Sequence, residues 1–196
     1  MMHVHTDDAL ISPVFASELA DWARLDSDDP TIEGALTLAS SAVFAFTKQD
    51  FTQRTWTLTH KDWPTVGTAM RYSISPNDYM YCQRVELPYA NLISVDSVMV
   101  NGEAETAYQV IKGKPYQLEF DAIGYTQSDN DALVITYKAG YGTSSADVPD
   151  AVRKAIMMTA TYVISHNGMC DAGVALEQSG AKSILVPYAV KAGIVI

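Results

Sequence analysis

The hydrophobic residues of this sequence keep one period at its two ends and another in its middle, and few folds accommodate that pattern. Over residues 31–46 the apolar positions Ile32, Ala35, Leu36, Ala39, Val43 and Phe46 recur at steps of three and four, which places them on one face of a helix. Beyond residue 52 the period drops to two. In Arg54-Thr55-Trp56-Thr57-Leu58-Thr59-His60, Trp56 and Leu58 share one face and threonines the other, the alternation of a half-buried strand rich in β-formers. After Pro149 the helical period returns in Val152, Ile156, Ala160, Val163 and Ile164. The fold class this predicts is α+β, with helical N- and C-terminal regions packed together and an antiparallel β-rich lobe inserted between them.

Local signals refine the boundaries. Ser17 is placed to cap a short helix with Leu19, Trp22 and Ala23 on one side. The acidic turn Asp26-Ser27-Asp28-Asp29-Pro30 leads into the long helix, because Asp accepts from free N–H groups while Pro in the first turn has no donor to lose. Gly34 costs that helix about 1 kcal/mol relative to Ala, which its long apolar stripe absorbs. Strands are expected at Arg84–Leu87, Leu92–Val100, Tyr108–Ile111, Tyr116–Phe120 and Leu133–Tyr137. Asn101-Gly102 suits a type I′ hairpin turn, since both residues tolerate positive φ. Residues 61–82, with Trp63-Pro64, Gly67 and Ser75-Pro76-Asn77-Asp78, read as a long irregular connection. Asp147 and Asp150 flank Pro149 where negative charge complements a helix dipole, Asn167-Gly168 supplies the stop, and a glycine-containing stretch 171–180 leads to the short segment 183–188. The organisation expected is a flexible arm over 1–15, one domain over 16–188 (helices 16–48 and 149–167, insertion 52–138), and an apolar tail over 189–196.

Searching the same residues for chemistry excludes more than it finds. The chain of 196 residues carries 23 acids against 13 Lys and Arg, a net charge of −10, and would on average repel the phosphates a DNA-binding module attracts. Its two cysteines, Cys82 and Cys170, form no C-x-x-C pair and read as reduced, packed thiols. The acidic N-terminus is no signal peptide, and the most apolar stretches are too short or too interrupted to span a bilayer. His3-x-His5 with Asp7 and Asp8 has metal-ligand chemistry but sits in the expected arm, without a scaffold to fix it. His60 reads as a solvent-facing strand residue. His166, Cys170 and Asp171 are separated by Asn167-Gly168 and read as a helix cap beside a packed thiol. Gly140-Tyr141-Gly142 lacks the third glycine of a nucleotide loop and reads as a tight strand-to-helix turn. Asp26, Asp28 and Asp29 lack the glycine and distal Glu of a calcium loop. The expectation is therefore no catalytic residue, no cofactor, no metal and no enzyme.

The order of the segments carries a resemblance. Arg24-Leu25-Asp26-Ser27-Asp28-Asp29-Pro30 resembles the "LRVD" run that leads into an Ala-rich helix in the head-to-tail connector (adaptor, head completion) family of tailed bacteriophages, and Thr52–Leu58 its Thr/Gln/Trp-rich strand. Leu87-Pro88 followed by Leu92–Val98 is similar to "LP…P…SV.SV". Tyr137–Gly142 with Val148-Pro149 and Ala155-Ile156 is similar to "Y.AGYG…VP…AI", and Ile184–Tyr188 to the closing "LL.PYR". The pieces run in order from about Ser17 to Tyr188; Ala189 stands where the family closes on Arg, and the 61–82 connection is longer than in the shortest members. The resemblance implies a structural virion protein at the head–tail neck, assembled in the host cytoplasm. It would form a dodecameric homo-oligomeric ring beneath the portal protein, meet the next neck or tail protein, and pass DNA through its lumen without specific binding or any membrane role. A stopper or tail terminator, and more remotely a small hydrolase, are the competing readings. Ile184, Leu185 and Tyr188, with the tail residues Ile194, Val195 and Ile196, carry more apolar area than a free surface segment normally shows and are the expected assembly contacts.

Overall fold

In a computed structural model describing residues 2–61, 69–72, 79–89, 91–120 and 133–190, the chain divides into two compact units. One is helical and discontinuous, built from residues 9–53 and 140–190. The other holds residues 2–8 and the intervening segment 54–139. This is the α+β arrangement with a β-rich insertion that the change of period predicts.

The helical unit comprises α1 (Ala16–Ala23), α2 (Thr31–Thr47), α3 (Asp150–Ser165), α4 (Ala172–Gln178) and α5 (Ala181–Leu185), with 3-10 turns at Ser145–Asp147 and Val186–Tyr188. Helices α2 and α3 pack along each other, and α1, α4 and α5 pack against that pair. The predicted stripe of α2 is the buried face: Ile32, Ala35, Leu36, Ala39 and Val43 meet Val152, Ala155, Ile156, Ala160 and Val163 of α3 in one apolar cluster with Leu19 and Leu185. Each fully buried Leu or Ile there contributes roughly 1.5–3 kcal/mol of transfer free energy. Ala39 of α2 and Ala155 and Ala160 of α3 are each fully buried in that cluster.

At the start of α2 the expected acceptor is present one place earlier than expected: Pro30, not the first helical residue, is the N-cap, and the Asp29 carboxylate before it accepts from the Thr31 N–H at 2.8 Å and from its hydroxyl at 2.6 Å. These bonds, the side-chain one first, hold the carboxyl of Asp29 below its ordinary range. At α1 the cap differs. Phe15, not Ser17, is the N-cap residue, and Glu18 reaches back to accept from the Phe15 N–H at 3.0 Å. Trp22 also departs from expectation, because Leu19 and Ala20 form the buried side and Trp22 stays 48% exposed. The glycine-containing stretch 171–180 holds α4, which starts there because the Asp171 carboxylate accepts from the Gly173 N–H at 2.8 Å and from the Val174 N–H at 3.4 Å.

Among the described residues the β unit holds two antiparallel sheets. Strands β1 (Met2–His5), β2 (Arg54–His60), β5 (Leu92–Val100), β6 (Glu103–Ala104) and β9 (Leu133–Ala139) form one in the order β1-β2-β9-β5-β6. Strands β3 (Ala69–Tyr72), β4 (Tyr79–Leu87), β7 (Tyr108–Ile111) and β8 (Tyr116–Phe120) form the other in the order β3-β4-β8-β7. Asn101 and Gly102 both have positive φ between β5 and β6, as the hairpin signal requires. Two expectations fail here. The 61–82 segment is not irregular throughout, since β3 and the first residues of β4 pair within it. Tertiary pairing overrides its Pro- and Asn-rich composition. Residues 2–5, assigned to a flexible arm, are an edge strand in full register with β2, and the residues that follow are clipped to that strand. The Thr6 hydroxyl donates to the Thr55 carbonyl at 2.6 Å, the Asp8 carboxylate accepts from the Thr55 N–H at 2.6 Å, and the Arg54 guanidinium donates to the Asp8 carbonyl at 2.9 and 3.1 Å.

Candidate assembly surfaces

His166, Asp171 and Gly140, singled out for chemistry, prove to have structural roles. His166 ends α3, its ring stacked on Tyr162 at 4.0 Å with Nδ1 2.8 Å from the Tyr162 carbonyl oxygen. Cys170 is half-buried beside the helical cluster, and Asp171 caps α4. Gly140 has a stated task. At φ +135° an added Cβ would lie 2.5 Å from the Thr52 carbonyl oxygen, so only glycine lets residues 51–53 and 140–142 run side by side. They are joined there by Gln53 N–H to Gly142 O at 2.7 Å and Tyr141 N–H to Phe51 O at 3.1 Å.

His60 is not solvent-facing. It shares the inward face with Trp56 and Leu58, and burial lowers its pKa. His3 and His5 lie on the opposite, outward side of β1, exposed, with ring centroids 5.6 Å apart. Among the described residues no group of three or more His, Cys, Asp or Glu side chains is placed to hold a metal ion, and no helix is long and apolar enough to cross a membrane.

The other perturbed groups likewise hold the fold. Burial, with Tyr188 nearby, pushes the Tyr141 phenol up to about 12, and its hydroxyl donates to Gln49 Oε1 at 2.9 Å. Burial raises the Glu18 carboxyl, but the Phe15 N–H and the Arg153 guanidinium outweigh it and leave the group below its ordinary value. Arg153 of α3 is ion-paired to Glu18 of α1, so this carboxylate both caps one helix and ties it to another. In the β unit, Trp56 stacks on Tyr89 at 4.4 Å with the Arg54 guanidinium 4.8 Å from its ring, and the Tyr137 hydroxyl donates to the Pro88 carbonyl at 2.6 Å. Arg84 of β4 meets the buried Glu119 of β8 at 2.7 Å.

What the helical unit does offer is exposed apolar surface. Phe15, the N-cap residue of α1, and Trp22 near the end of that helix are 61% and 48% exposed. Met169, in the turn after α3, is 90% exposed, and Val174 and Val186 are exposed as well. Between the start of α2 and the end of α3 lies a groove of about 430 Å³ whose apolar lining includes Gly34, Ala35, Leu38, Val163 and Ile164. Of the expected contacts, Leu185 is fully buried in its own helical cluster, Tyr188 is half-buried against that cluster, and Ile184 is half-buried; Ile194, Val195 and Ile196 lie outside the described residues. The exposure of Trp22 is not legible from its helical stripe, which does not reveal which edge the core leaves uncovered, and Phe15 and Met169 lie outside any helix.

No protein-family model matches the chain, and no curated protein matches it either. Solved structures do. The chain is similar to one in the neck of an empty gene transfer agent (GTA) particle computed with C6 symmetry, with 16% identity and a TM-score of 0.60 over 90% of this chain and 94% of the other. It is similar to the same extent to a chain in the neck of a native GTA particle computed with C12 symmetry. A chain in the virion of the native GTA particle aligns with a TM-score of 0.58 at 16% identity, covering 89% and 93%. At this identity the likeness is one of fold.

Proposed function

We propose that this chain is a structural, non-enzymatic subunit of the neck of a phage-like particle. Copies of it close into a ring beneath the portal, join the DNA-filled head to the tail and extend the DNA conduit. The observation that carries this reading is the extent of the fold match, nearly end to end on both sides, to chains from GTA necks. The C12 symmetry of one of those necks is compatible with the dodecamer that the connector resemblance implies. A head-to-tail ring uses heterologous contacts, two different patches per subunit, and the helical unit supplies separate exposed apolar side chains for them: Phe15 and Trp22 at α1, and Met169 in the turn beside the α2–α3 groove. Ile184, Tyr188 and the Ile194-Val195-Ile196 tail are retained as further contacts. The net charge of −10 suits a lumen that DNA must traverse without being held; a channel lined with Lys and Arg would count against it.

The test is electron microscopy of purified particles carrying a tagged copy of the chain. Ring-shaped density at the neck is the expected outcome, and absence of the chain from mature particles would overturn the proposal. In the same particles Trp22→Glu with Met169→Glu, or deletion of residues 193–196, should lower incorporation without changing the far-UV circular dichroism of the free subunit.

A further inference from the structure

We propose that His3 and His5 form a bidentate site for a borderline divalent transition-metal ion of the Ni2+, Cu2+ and Zn2+ class. The sequence alone gives no reason to expect one, because two histidines in an unstructured arm have no fixed separation. The structure removes that objection. Strand β1 is paired with β2 at every position, His3 opposite Thr59 and His5 opposite Thr57. Strand alternation then sends both imidazoles to one face, while Val4 between them sits opposite the buried Leu58. The register is held from behind by Asp8 and Thr6 on Thr55, so the backbone positions that carry the two ligands are set before any ion arrives.

The geometry matches the chemistry. An ion bound to two ring nitrogens at about 2.0–2.1 Å with a tetrahedral angle puts the ring centroids on the order of 5 Å apart; here they are 5.6 Å apart, and the rings are tilted by 40°. Both imidazoles are exposed, and among the described residues neither is engaged in a hydrogen bond or ion pair. Their cross-strand neighbours are threonines, which bring neither bulk nor positive charge. Paired imidazoles select Ni2+, Cu2+ and Zn2+ over Mg2+ and Ca2+, which prefer oxygen ligands. With two protein ligands and water in the remaining positions, the site should bind with roughly half the free energy of a four-ligand zinc site, a dissociation constant on the order of 1–100 µM. This inference goes beyond the neck proposal and stands independently of it.

The test is calorimetric titration of the full chain with Ni2+ after alkylation of its thiols, which would otherwise compete. One saturable equivalent is expected. His3→Ala and His5→Ala should each weaken binding by roughly tenfold or more, and the double variant should abolish it. His166→Ala should leave binding unchanged, as should replacing Ni2+ by Mg2+ leave the heat of dilution alone. Trace Cu2+ should broaden the imidazole NMR signals of His3 and His5 ahead of those of His60 and His166. Unchanged affinity in the double variant, or no saturable binding up to about millimolar Ni2+, would overturn the proposal. Unaltered circular dichroism in the variants, whose side chains are exposed, excludes loss of β1 as the cause.

Discussion

Two glycine-to-alanine substitutions in the helical unit should move stability in opposite directions, and the structure fixes both signs. At Gly140 an added Cβ would stand 2.5 Å from the Thr52 carbonyl oxygen, 2.7 Å from its carbon and 2.9 Å from the Gln53 Cα. Ordinary contact begins at 3.4 Å, so the two backbones must part by about 0.9 Å. No side chain can swing aside, because all three obstructing atoms are main chain. Separation of that size weakens the bonds from Gln53 to Gly142 and from Tyr141 to Phe51, each worth about 0.5–1.5 kcal/mol. The φ of +135° adds about 1–3 kcal/mol of strain for a residue with a Cβ. Gly140→Ala should therefore cost roughly 2–5 kcal/mol. At Gly34, inside α2, an added Cβ meets nothing within 4 Å. The methyl there limits the unfolded chain and suits a helix, so Gly34→Ala should stabilise by about 0.4–1 kcal/mol. Urea unfolding followed by far-UV circular dichroism measures both. A Gly140→Ala protein as stable as the parent would refute the close approach of residues 51–53 and 140–142; a destabilised Gly34→Ala protein would refute the open site on α2.

Two further predictions concern charge. Arg84→Met takes one charge-assisted hydrogen bond from the buried Glu119 carboxylate and should cost about 1.5–3 kcal/mol. Arg84→Met combined with Glu119→Leu should recover most of that in the same unfolding assay. The Glu18 carboxyl titrates below its ordinary value of 4.5 in the folded chain, so its contribution is fully present above that value and is lost as the pH falls through the lower, folded-state one. The gap in melting temperature between the parent and Glu18→Gln should be widest at neutral pH and close under acid; a gap that persists unchanged at pH about 2 would contradict the roles of Phe15 and Arg153.

The parts of the fold that sequence made legible are those where one residue pattern has one solution. The α2 stripe, the Trp56–Leu58 alternation, the Asp29–Thr31 cap and the Asn101-Gly102 turn each have a local cause, and each is present. The misses have non-local causes. Strand β1 exists because β2 offers an edge and Arg54 and Thr55 hold residues 6–8, partners some fifty positions away. Strand β3 depends on β4. Trp22 was grouped with Leu19, but the core contributed by α2 and α3 covers Leu19 and Ala20 and stops short of it. Burial on the surface side is equally non-local: Leu185 is fully buried among its own helices, while Phe15 and Met169, with no pattern to mark them in the sequence, are exposed.

The side-by-side course of residues 51–53 and 140–142 has a consequence for how such a chain can change. Both ends of the inserted segment are hydrogen-bonded neighbours, so the helical unit closes around one narrow root whatever is grafted beyond it. Lengthening or exchanging the graft alters loop-closure entropy only logarithmically. Homologous subunits could thus keep one helical body and carry lobes of very different size, recasting what the subunit presents to its neighbours without rebuilding the frame that holds it.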